Sequence, residues 1–226
     1  MLANLKRGLI VSCQAVKGEP LYGLGIMGYM ARAAVEGGAV GIRANYVNDI
    51  ADIKKEVDVP IIGIIKEVYP DSEVYITPTL KEVKALLDVG CEVIALDCTK
   101  RARPNGEKLQ DLVKYIRDNA PAVEIMADCS DFEDAEIAYK LGFDYIGSTM
   151  RGYTPYTQGI EIPDYDFLTK LVKSFPDVKI IAEGGIWERD QLAKVCDCGV
   201  YAVVIGSSIT RPKDITQRFV GALKLC

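Results

Sequence analysis

Short apolar segments alternate with amphipathic segments along the whole chain. The apolar segments are near-continuous runs of Val, Ile and Leu, a pattern typical of parallel strands that are buried on both faces. The segments between them repeat apolar residues with helical spacing, and several begin at a capping residue and end at Gly. This alternation predicts an α/β protein with a parallel sheet. The eight predicted strands lie at 8–14, 39–44, 60–66, 92–99, 123–129, 145–150, 178–185 and 202–208.

One type of junction recurs four times. In VEGGAVGIRA, LDVGCEVIALD, YKLGFDYIGS and CDCGVYAVVIG, a helix ends at a glycine and the chain enters an even-numbered strand. The glycines recur about every 52 to 57 residues, so each period holds two strand–helix units. A closed (β/α)8 TIM barrel is built in this way, whereas an open doubly wound sheet is not. Because no segment resembles a linker, residues 1–226 are predicted to form a single barrel domain. The four glycines are Gly38, Gly90, Gly142 and Gly199.

The composition indicates which partners and which cellular compartment to expect for the protein. The net charge is −5 and no basic block is present, so nucleic acid is not an expected partner. The N-terminus runs straight into a strand, which predicts no signal peptide, and no apolar stretch is long enough to span a membrane. The seven cysteines form no C-x-x-C pair and mostly lie in apolar runs. They are interpreted as reduced thiols of a cytoplasmic protein.

The chain has no histidine. This excludes serine and cysteine triads with an imidazole base, and metal sites that depend on histidine ligands. Catalysis would have to rely on Lys, Glu, Asp, Tyr or Cys. No metal and no organic cofactor is therefore expected.

The segment YGLGIMGYM contains the spacing G-x-G-x-x-G, at Gly23, Gly25 and Gly28. In dinucleotide-binding folds this motif follows a strand directly and opens a helix. Here the first strand ends near Gln14, and several residues including Pro20 come before the first glycine. A flexible loop leading into the first helix is the preferred interpretation, and a nicotinamide-dependent oxidoreductase remains an alternative.

Nearly every predicted strand ends on a polar or charged residue. The carboxyl ends of barrel strands form the site in TIM-barrel enzymes, and charges that follow aliphatic runs need partners when buried. These residues are therefore expected to converge on one cavity. Asp97 and Asp128 could instead cap the following helices. The strand-end residues are Gln14, Arg43, Lys66, Asp97, Asp128, Ser148, Thr149 and Glu183.

Two glycine-rich loops follow the last two strands. TIM barrels commonly hold phosphate with these loops and with the N-terminus of a short additional helix. EGGI and IGSSITRP provide backbone N–H groups that an anion can approach closely, and Arg211 adds a positive charge. A phosphate site is predicted from Gly184, Gly185, Gly206, Ser207 and Arg211.

A lysine and a glutamate beside a phosphate site are the parts that a sugar-phosphate isomerase or epimerase needs. Lys66 ends an aliphatic strand, and desolvation would favour its neutral, basic form. Glu183 could move a proton at the carbonyl oxygen. Two alternatives remain open, a class I aldolase that uses Lys66 as a Schiff-base amine and a non-catalytic sugar-phosphate sensor. The long loop 151–166 is predicted to close over the ligand, with Tyr153 and Thr154 nearest to it.

Together these segments resemble the N-acetylmannosamine-6-phosphate 2-epimerase family of bacterial sialic-acid and amino-sugar catabolism. The matching segments are GLIVSCQ, GIRA, PIIGIIK, DCTKRARPNGE, MADCS, GYT, IIAEG and IGSSITRP, in this order along nearly the whole chain. The resemblance implies interconversion of N-acetylmannosamine 6-phosphate and N-acetylglucosamine 6-phosphate by movement of the C2 proton. It implies an amino-sugar phosphate as the partner, with a homodimer left open.

The resemblance also implies roles for individual residues. Lys66 and Glu183 match the family's catalytic residues, and Arg211 matches its phosphate-binding arginine. The residues that would hold the polar groups of the sugar are Gln14, Arg43 and Asp128.

Three positions depart from the family pattern. Glu67 and Gly185 replace residues that are usually basic, and Arg151 replaces a residue that is often Ser. Because these positions flank the motifs, they bear on phosphate affinity and substrate detail more than on the reaction.

Overall fold

The computed structural model describes residues 5–223, which form a closed barrel of eight parallel strands in chain order. β1 pairs with β2 on one side and with β8 on the other, which closes the sheet. The predicted (β/α)8 architecture is confirmed. The strands are β1 Gly8–Cys13, β2 Gly41–Asn45, β3 Ile61–Ile64, β4 Val93–Asp97, β5 Glu124–Asp128, β6 Tyr145–Gly147, β7 Lys179–Glu183 and β8 Ala202–Ile205.

Nine α-helices surround the barrel in the described residues, one more than the strand count. The additional helix, α8, is a single turn directly after β8, and Pro212 opens the helix that follows it. None of the helices described within 5–223 is long and apolar enough to cross a membrane. The helices are α1 Met27–Glu36, α2 Val47–Glu56, α3 Leu80–Val89, α4 Leu109–Asn119, α5 Phe132–Lys140, α6 Tyr165–Ser174, α7 Arg189–Asp197, α8 Ser207–Thr210 and α9 Pro212–Ala222.

The buried apolar residues form two layers, one on each face of the sheet. Successive strand residues point to opposite faces, which explains why the strands are apolar without interruption. On β2, for example, Ile42 packs in the outer layer against the helices, while Arg43 points into the barrel. Residues such as Ile62, Met126 and Val204 fill the interior, so the barrel is a packed core.

The glycine run after β1 has a structural explanation. Gly23 and Gly25 adopt positive φ angles of 71° and 66° in the turns that lead to α1. Gly28 lies in α1 against α2, where an added Cβ would be 3.1 Å from the backbone oxygen of Asp52. The run therefore serves the turn and the close packing of two helices. It lies in a loop, as the distance from β1 predicts, and it does not follow the strand directly.

Candidate active site

A cavity opens at the carboxyl ends of the strands. Its volume is about 520 Å³, which falls within the usual range for small-molecule sites. Most of the predicted site residues line it, together with several that the sequence did not indicate. The predicted residues in its wall are Gln14, Arg43, Lys66, Thr149, Tyr153, Glu183, Gly184, Gly185, Gly206, Ser207 and Arg211.

A buried ion-pair cluster lies at the floor of the cavity. The guanidinium of Arg43 donates to both oxygens of Asp128, with Nη1–Oδ1 and Nη2–Oδ2 distances of 2.9 and 2.6 Å. The same Nη1 donates to Oε2 of Glu183 at 2.9 Å. The Thr149 hydroxyl lies 2.6 Å from Asp128 Oδ1 and 3.1 Å from Glu183 Oε2. Three strands on different sides of the barrel thus hold one cation between two carboxylates.

Lys66 lies two residues beyond the end of β3. It forms an antiparallel bridge with Ile76, and its backbone N–H donates to Oδ1 of Asn45 at 2.9 Å. Its amine forms no ion pair with any residue within 5–223. Burial lowers the pKa of Lys66 to about 8, and the positive charge of Arg43 acts in the same direction. A substantial fraction of this amine is therefore neutral near physiological pH, as a base requires.

Burial moves the pKa of Glu183 in the opposite direction. Loss of solvent raises the pKa of its carboxyl above the ordinary value. The positive charge of Arg43 opposes the rise, and the negative charge of Asp128 supports it. The cavity thus holds a lysine that releases its proton more easily and a glutamate that retains one more easily. Such divergent environments are typical of a catalytic acid and base.

The end of the cavity where phosphate is predicted to bind is formed by the loops after β7 and β8. Ser207 is the first residue of α8, and Gly206 precedes it as the N-cap. Arg211 follows α8, and its Nη1 lies 2.8 Å from Oε1 of Glu19. The predicted glycine loops, the short helix and the arginine therefore lie together.

Gln14 and Tyr153 contribute polar groups to the wall. Nε2 of Gln14 donates to the Ser12 hydroxyl at 2.9 Å, and its amide oxygen is buried with no partner in the described chain. The ring of Tyr153 is 57% exposed at the opening of the cavity. Both residues line the cavity.

Asp128 and Thr154 do not line the cavity, although both were predicted to contact the ligand. Both oxygens of Asp128 are bound by Arg43, and the residue is fully buried, so Asp128 orients the guanidinium. The Thr154 hydroxyl lies 2.6 Å from the Ser130 hydroxyl and 2.8 Å from that of Thr157, in a buried cluster. The structure thus places neither side chain in the cavity wall, and direct contact of Asp128 and Thr154 with a ligand stays a prediction.

The cavity also contains side chains that sequence reasoning missed. Tyr75 comes from the connection between β3 and α3, where Glu67 N–H donates to the Tyr75 carbonyl at 3.0 Å. Ile162 reaches the cavity from the long loop, and Trp187 follows the β7 glycines. Trp187 stands next to the predicted phosphate loop and is the only tryptophan of the chain, a signal that was available in the sequence.

Comparison with known proteins identifies the family. A family model described as "Putative N-acetylmannosamine-6-phosphate epimerase" matches residues 27–225. The chain belongs to this family. It is 52% identical over its whole length to a "Putative N-acetylmannosamine-6-phosphate 2-epimerase" of Clostridioides difficile, and the match covers the whole relative. A relative of the same name from Staphylococcus carnosus is 55% identical, with 97% of this chain and 98% of the relative covered.

Solved structures give the same result. A structure titled as the N-acetylmannosamine-6-phosphate 2-epimerase from Clostridium perfringens superposes with a TM-score of 0.93 at 50% identity. The match covers 97% of this chain and 95% of that one. A thiamine phosphate pyrophosphorylase from Pyrococcus furiosus, at 21% identity and a TM-score of 0.62, shares the fold.

Two of the departures from the family pattern have local explanations. Gly185 adopts φ +72°, and an added Cβ would lie 2.5 Å from the carbonyl oxygen of Ile162, so no side chain fits there. Arg151 donates to Oδ2 of Asp164, with a Nη2–Oδ2 distance of 2.7 Å, and it therefore fastens the two ends of the long loop. The third departure, Glu67, is exposed and does not line the cavity.

Proposed function

We propose that this protein interconverts N-acetylmannosamine 6-phosphate and N-acetylglucosamine 6-phosphate by moving the proton at C2. One observation carries the proposal. Lys66 and Glu183 face the same cavity, with their pKa values displaced toward a neutral amine and a protonated carboxyl. Membership of the epimerase family and the names of the relatives support the substrate.

The phosphate would anchor one end of the substrate. Backbone N–H groups at Gly184, Gly185, Gly206 and Ser207 line the end of the cavity where Arg211 lies. Donors of this kind at a helix start favour an anion. The long open-chain form of the sugar can then extend from this anchor toward the ion-pair cluster, which places C1 and C2 near Lys66.

Proton transfer depends on the positions of three ionisable groups. The neutral amine of Lys66 removes the C2 proton of the open-chain aldehyde, and negative charge develops on the O1 oxygen. Arg43, held rigidly by Asp128, stabilises that charge electrostatically. Glu183 donates a proton to this oxygen, which gives an enol. When Glu183 takes that proton back, the carbonyl re-forms, and the ammonium of Lys66 returns a proton to the other face of C2, which the enol has turned toward it. The contacts of its side chain within 5–223 fall on Oε2, so Oε1 is available to the substrate.

The remaining polar side chains would hold the sugar. Gln14 has an unpaired amide oxygen that can accept from a sugar hydroxyl, and Tyr153 covers the opening. Asp128 acts through Arg43. The reaction needs no cofactor, because a carbonyl next to C2 already makes the proton acidic.

The competing functions predict different experimental results. N-acetylmannosamine 6-phosphate is incubated with the protein in D₂O and followed by proton NMR. We expect the C2 signal to disappear as N-acetylglucosamine 6-phosphate forms. Binding without loss of the C2 signal would instead identify a sensor. Cleavage products, together with borohydride trapping at Lys66, would identify an aldolase, and an absorbance change with a nicotinamide cofactor would identify an oxidoreductase.

We further propose that the protein works in the cytoplasm, in amino-sugar and sialic-acid catabolism. The cysteines described within 5–223 are unpaired, in line with a reducing compartment. The catabolic role rests on the substrate, which is the phosphorylated amino sugar named for the relatives.

A homodimer is the proposed state in solution. No residue of α9 is buried, and Phe219 and Val220 on this helix are 70% and 59% exposed. A helix gains most of its stability from packing an apolar face, so a second copy of the chain is the proposed cover. Analytical ultracentrifugation should give a dimer that Phe219→Ser converts to a monomer, and a monomeric wild-type chain would contradict the proposal.

A further inference from the structure

The hydroxyl of Tyr75 is a hydrogen-bond donor without a strong acceptor. Its one hydrogen-bond partner in the described chain is the Met150 thioether sulfur, at 3.7 Å. A thioether accepts only weakly. The ring packs against the apolar residues of the barrel interior, and the side chain lines the cavity. The hydroxyl is thus held in the site without a good partner of its own.

Tyr75 and Lys66 lie on two adjacent backbone segments, and both line the cavity. The segments 65–67 and 75–77 run antiparallel, with Thr77 N–H donating to the Ile65 carbonyl at 2.8 Å and Glu67 N–H donating to the Tyr75 carbonyl at 3.0 Å. A sugar whose C2 lies at Lys66 therefore has Tyr75 in the wall of the same cavity. The substituent on C2 is the candidate partner for its hydroxyl.

We propose that Tyr75 determines specificity by donating a hydrogen bond to the amide oxygen of the N-acyl group on C2. The proposal rests on the proposed function, since Lys66 must act at C2 for Tyr75 to lie near the acyl group. The amide oxygen is the strong acceptor attached next to the reacting carbon. A sugar with a free amine carries an ammonium group at C2. This group offers no hydrogen-bond acceptor, and its N–H donors would face the donor hydroxyl of Tyr75.

The phenol retains its proton throughout the neutral range. Burial raises the pKa of Tyr75 to about 12, and the negative charges of Asp97 and Asp128 act in the same direction. Tyr75 is therefore a permanent donor under working conditions. A site built around such a donor rejects ligands that lack the matching acceptor more strongly than an apolar pocket would.

Two non-reacting probes test the proposal. N-acetylmannosaminitol 6-phosphate and mannosaminitol 6-phosphate are open-chain alditols that differ only in the acyl group and cannot epimerise. Titration calorimetry gives the Kd of each for wild type and Tyr75→Phe. We expect Tyr75→Phe to weaken binding of the acylated probe by roughly 10-fold or more, with the free-amine probe little changed. Equal weakening of both probes, or no change in either, would overturn the proposal.

Tyr69→Phe is the matched control. Tyr69 belongs to the same connection, and its hydroxyl donates to Oε1 of Glu82 at 3.0 Å, outside the cavity wall. This variant loses a phenol hydroxyl and one hydrogen bond, yet both Kd values should stay at the wild-type level.

A second measurement does not depend on the variant folding. With ¹³C at the acetyl carbonyl, the resonance of the acylated probe should move to higher frequency on binding to wild type, as a hydrogen-bonded amide oxygen does. An unmoved resonance would contradict the proposal. The C2 exchange assay on wild type distinguishes failure of the Tyr75 proposal from failure of the proposed function. If wild type exchanges the C2 proton but Tyr75→Phe does not alter binding of the probes, only the role of Tyr75 is rejected. An absence of exchange rejects the epimerase itself.

Discussion

Arg43 and Asp128 form a bidentate ion pair inside the barrel, with N–O distances of 2.9 and 2.6 Å and both side chains almost fully buried. The pair joins β2 to β5 across the interior, and a third contact ties it to Glu183 on β7. A buried arginine with fixed partners cannot reorient during a reaction, so its charge is ready for the oxygen of the substrate. The fixed guanidinium of Arg43 is therefore as important to the proposed site as Lys66 and Glu183.

Asp128→Asn should destabilise the protein and slow the reaction. The substitution keeps the shape but leaves the Arg43 charge without its main partner, and breaking a buried pair in this way costs about 3–5 kcal/mol. Chemical unfolding should show a loss of this order, and kcat should fall more than KM rises. Asp118→Asn is the control, because Asp118 forms an exposed pair with Lys114 in α4. Equal stabilities of the two variants would contradict the role assigned to Asp128.

The reaction rate should depend on pH through both Lys66 and Glu183. Lys66 must be neutral and Glu183 must carry a proton, so kcat/KM should pass through a maximum, with one limb of the profile near the Lys66 pKa of about 8. A pH–rate profile on N-acetylmannosamine 6-phosphate checks this. A rate that is flat between pH 6 and pH 9 would exclude Lys66 as the base.

Lys66 should also reduce stability at neutral pH. Its pKa is about 8 in the folded chain against an ordinary 10.5, so between these values the unfolded chain binds more protons. Stability attributable to Lys66 therefore rises with pH across this window, and below it the folded state bears the full penalty, at most about 3 kcal/mol. Lys66→Met should be more stable than wild type at pH 7, with a gain that shrinks toward pH 10.5. A gain that is constant with pH would contradict this assignment.

Gly185→Ala should cost more stability than Gly23→Ala. Both glycines have φ values near +70°, so both substitutions carry the same backbone strain of about 1–2 kcal/mol. Only at Gly185 does the new Cβ also meet the Ile162 carbonyl oxygen, whereas nothing lies within 4 Å at Gly23. We expect a further loss of about 1–3 kcal/mol in chemical unfolding of Gly185→Ala. Similar losses of unfolding free energy in the two variants would contradict this prediction. They would show that the loop containing Ile162 moves to accommodate the new Cβ at little cost.

Activity should survive complete removal of divalent metal ions. With no histidine in the chain, the mixed histidine and carboxylate cage typical of metal-dependent epimerases cannot be assembled. Dialysis against a chelator, followed by the C2 exchange assay, should leave the rate unchanged. Restoration of a lost rate by an added divalent ion would refute the mechanism.

The architecture could be predicted from the sequence because the barrel consists of repeated strand–helix units. Its eight apolar runs and recurring helix-end glycines specify strand order without tertiary detail. Five of the eight strand-end polar residues line the cavity, whereas Asp97, Asp128 and Ser148 do not. Local departures from the repeat were harder to predict. Lys66 lies past the end of β3 and is placed by a bridge to Ile76, which no barrel pattern contains. Tyr75 reaches the cavity by the same bridge and was missed.

Asp128 and Thr154 lie outside the cavity wall for a different reason. The sequence does not distinguish a strand-end carboxylate that contacts a ligand from one that orients a neighbouring arginine, as Asp128 does. Thr154 is adjacent in sequence to Tyr153, which does line the cavity, but its hydroxyl turns into a buried cluster with Ser130 and Thr157. Which way a loop side chain points depends on packing between distant segments, and a single sequence does not encode it locally.

Exchange of the C2 proton with solvent tests the central claim most directly. N-acetylmannosamine 6-phosphate in D₂O is given to wild type, Lys66→Ala and Glu183→Gln, with binding of the alditol phosphate as the check that each site is intact. The account predicts rapid deuteration by wild type and a loss of about 10²–10⁴-fold in each variant, with the alditol still bound through Arg211 and the glycine loops. Near wild-type deuteration by Lys66→Ala would contradict the account.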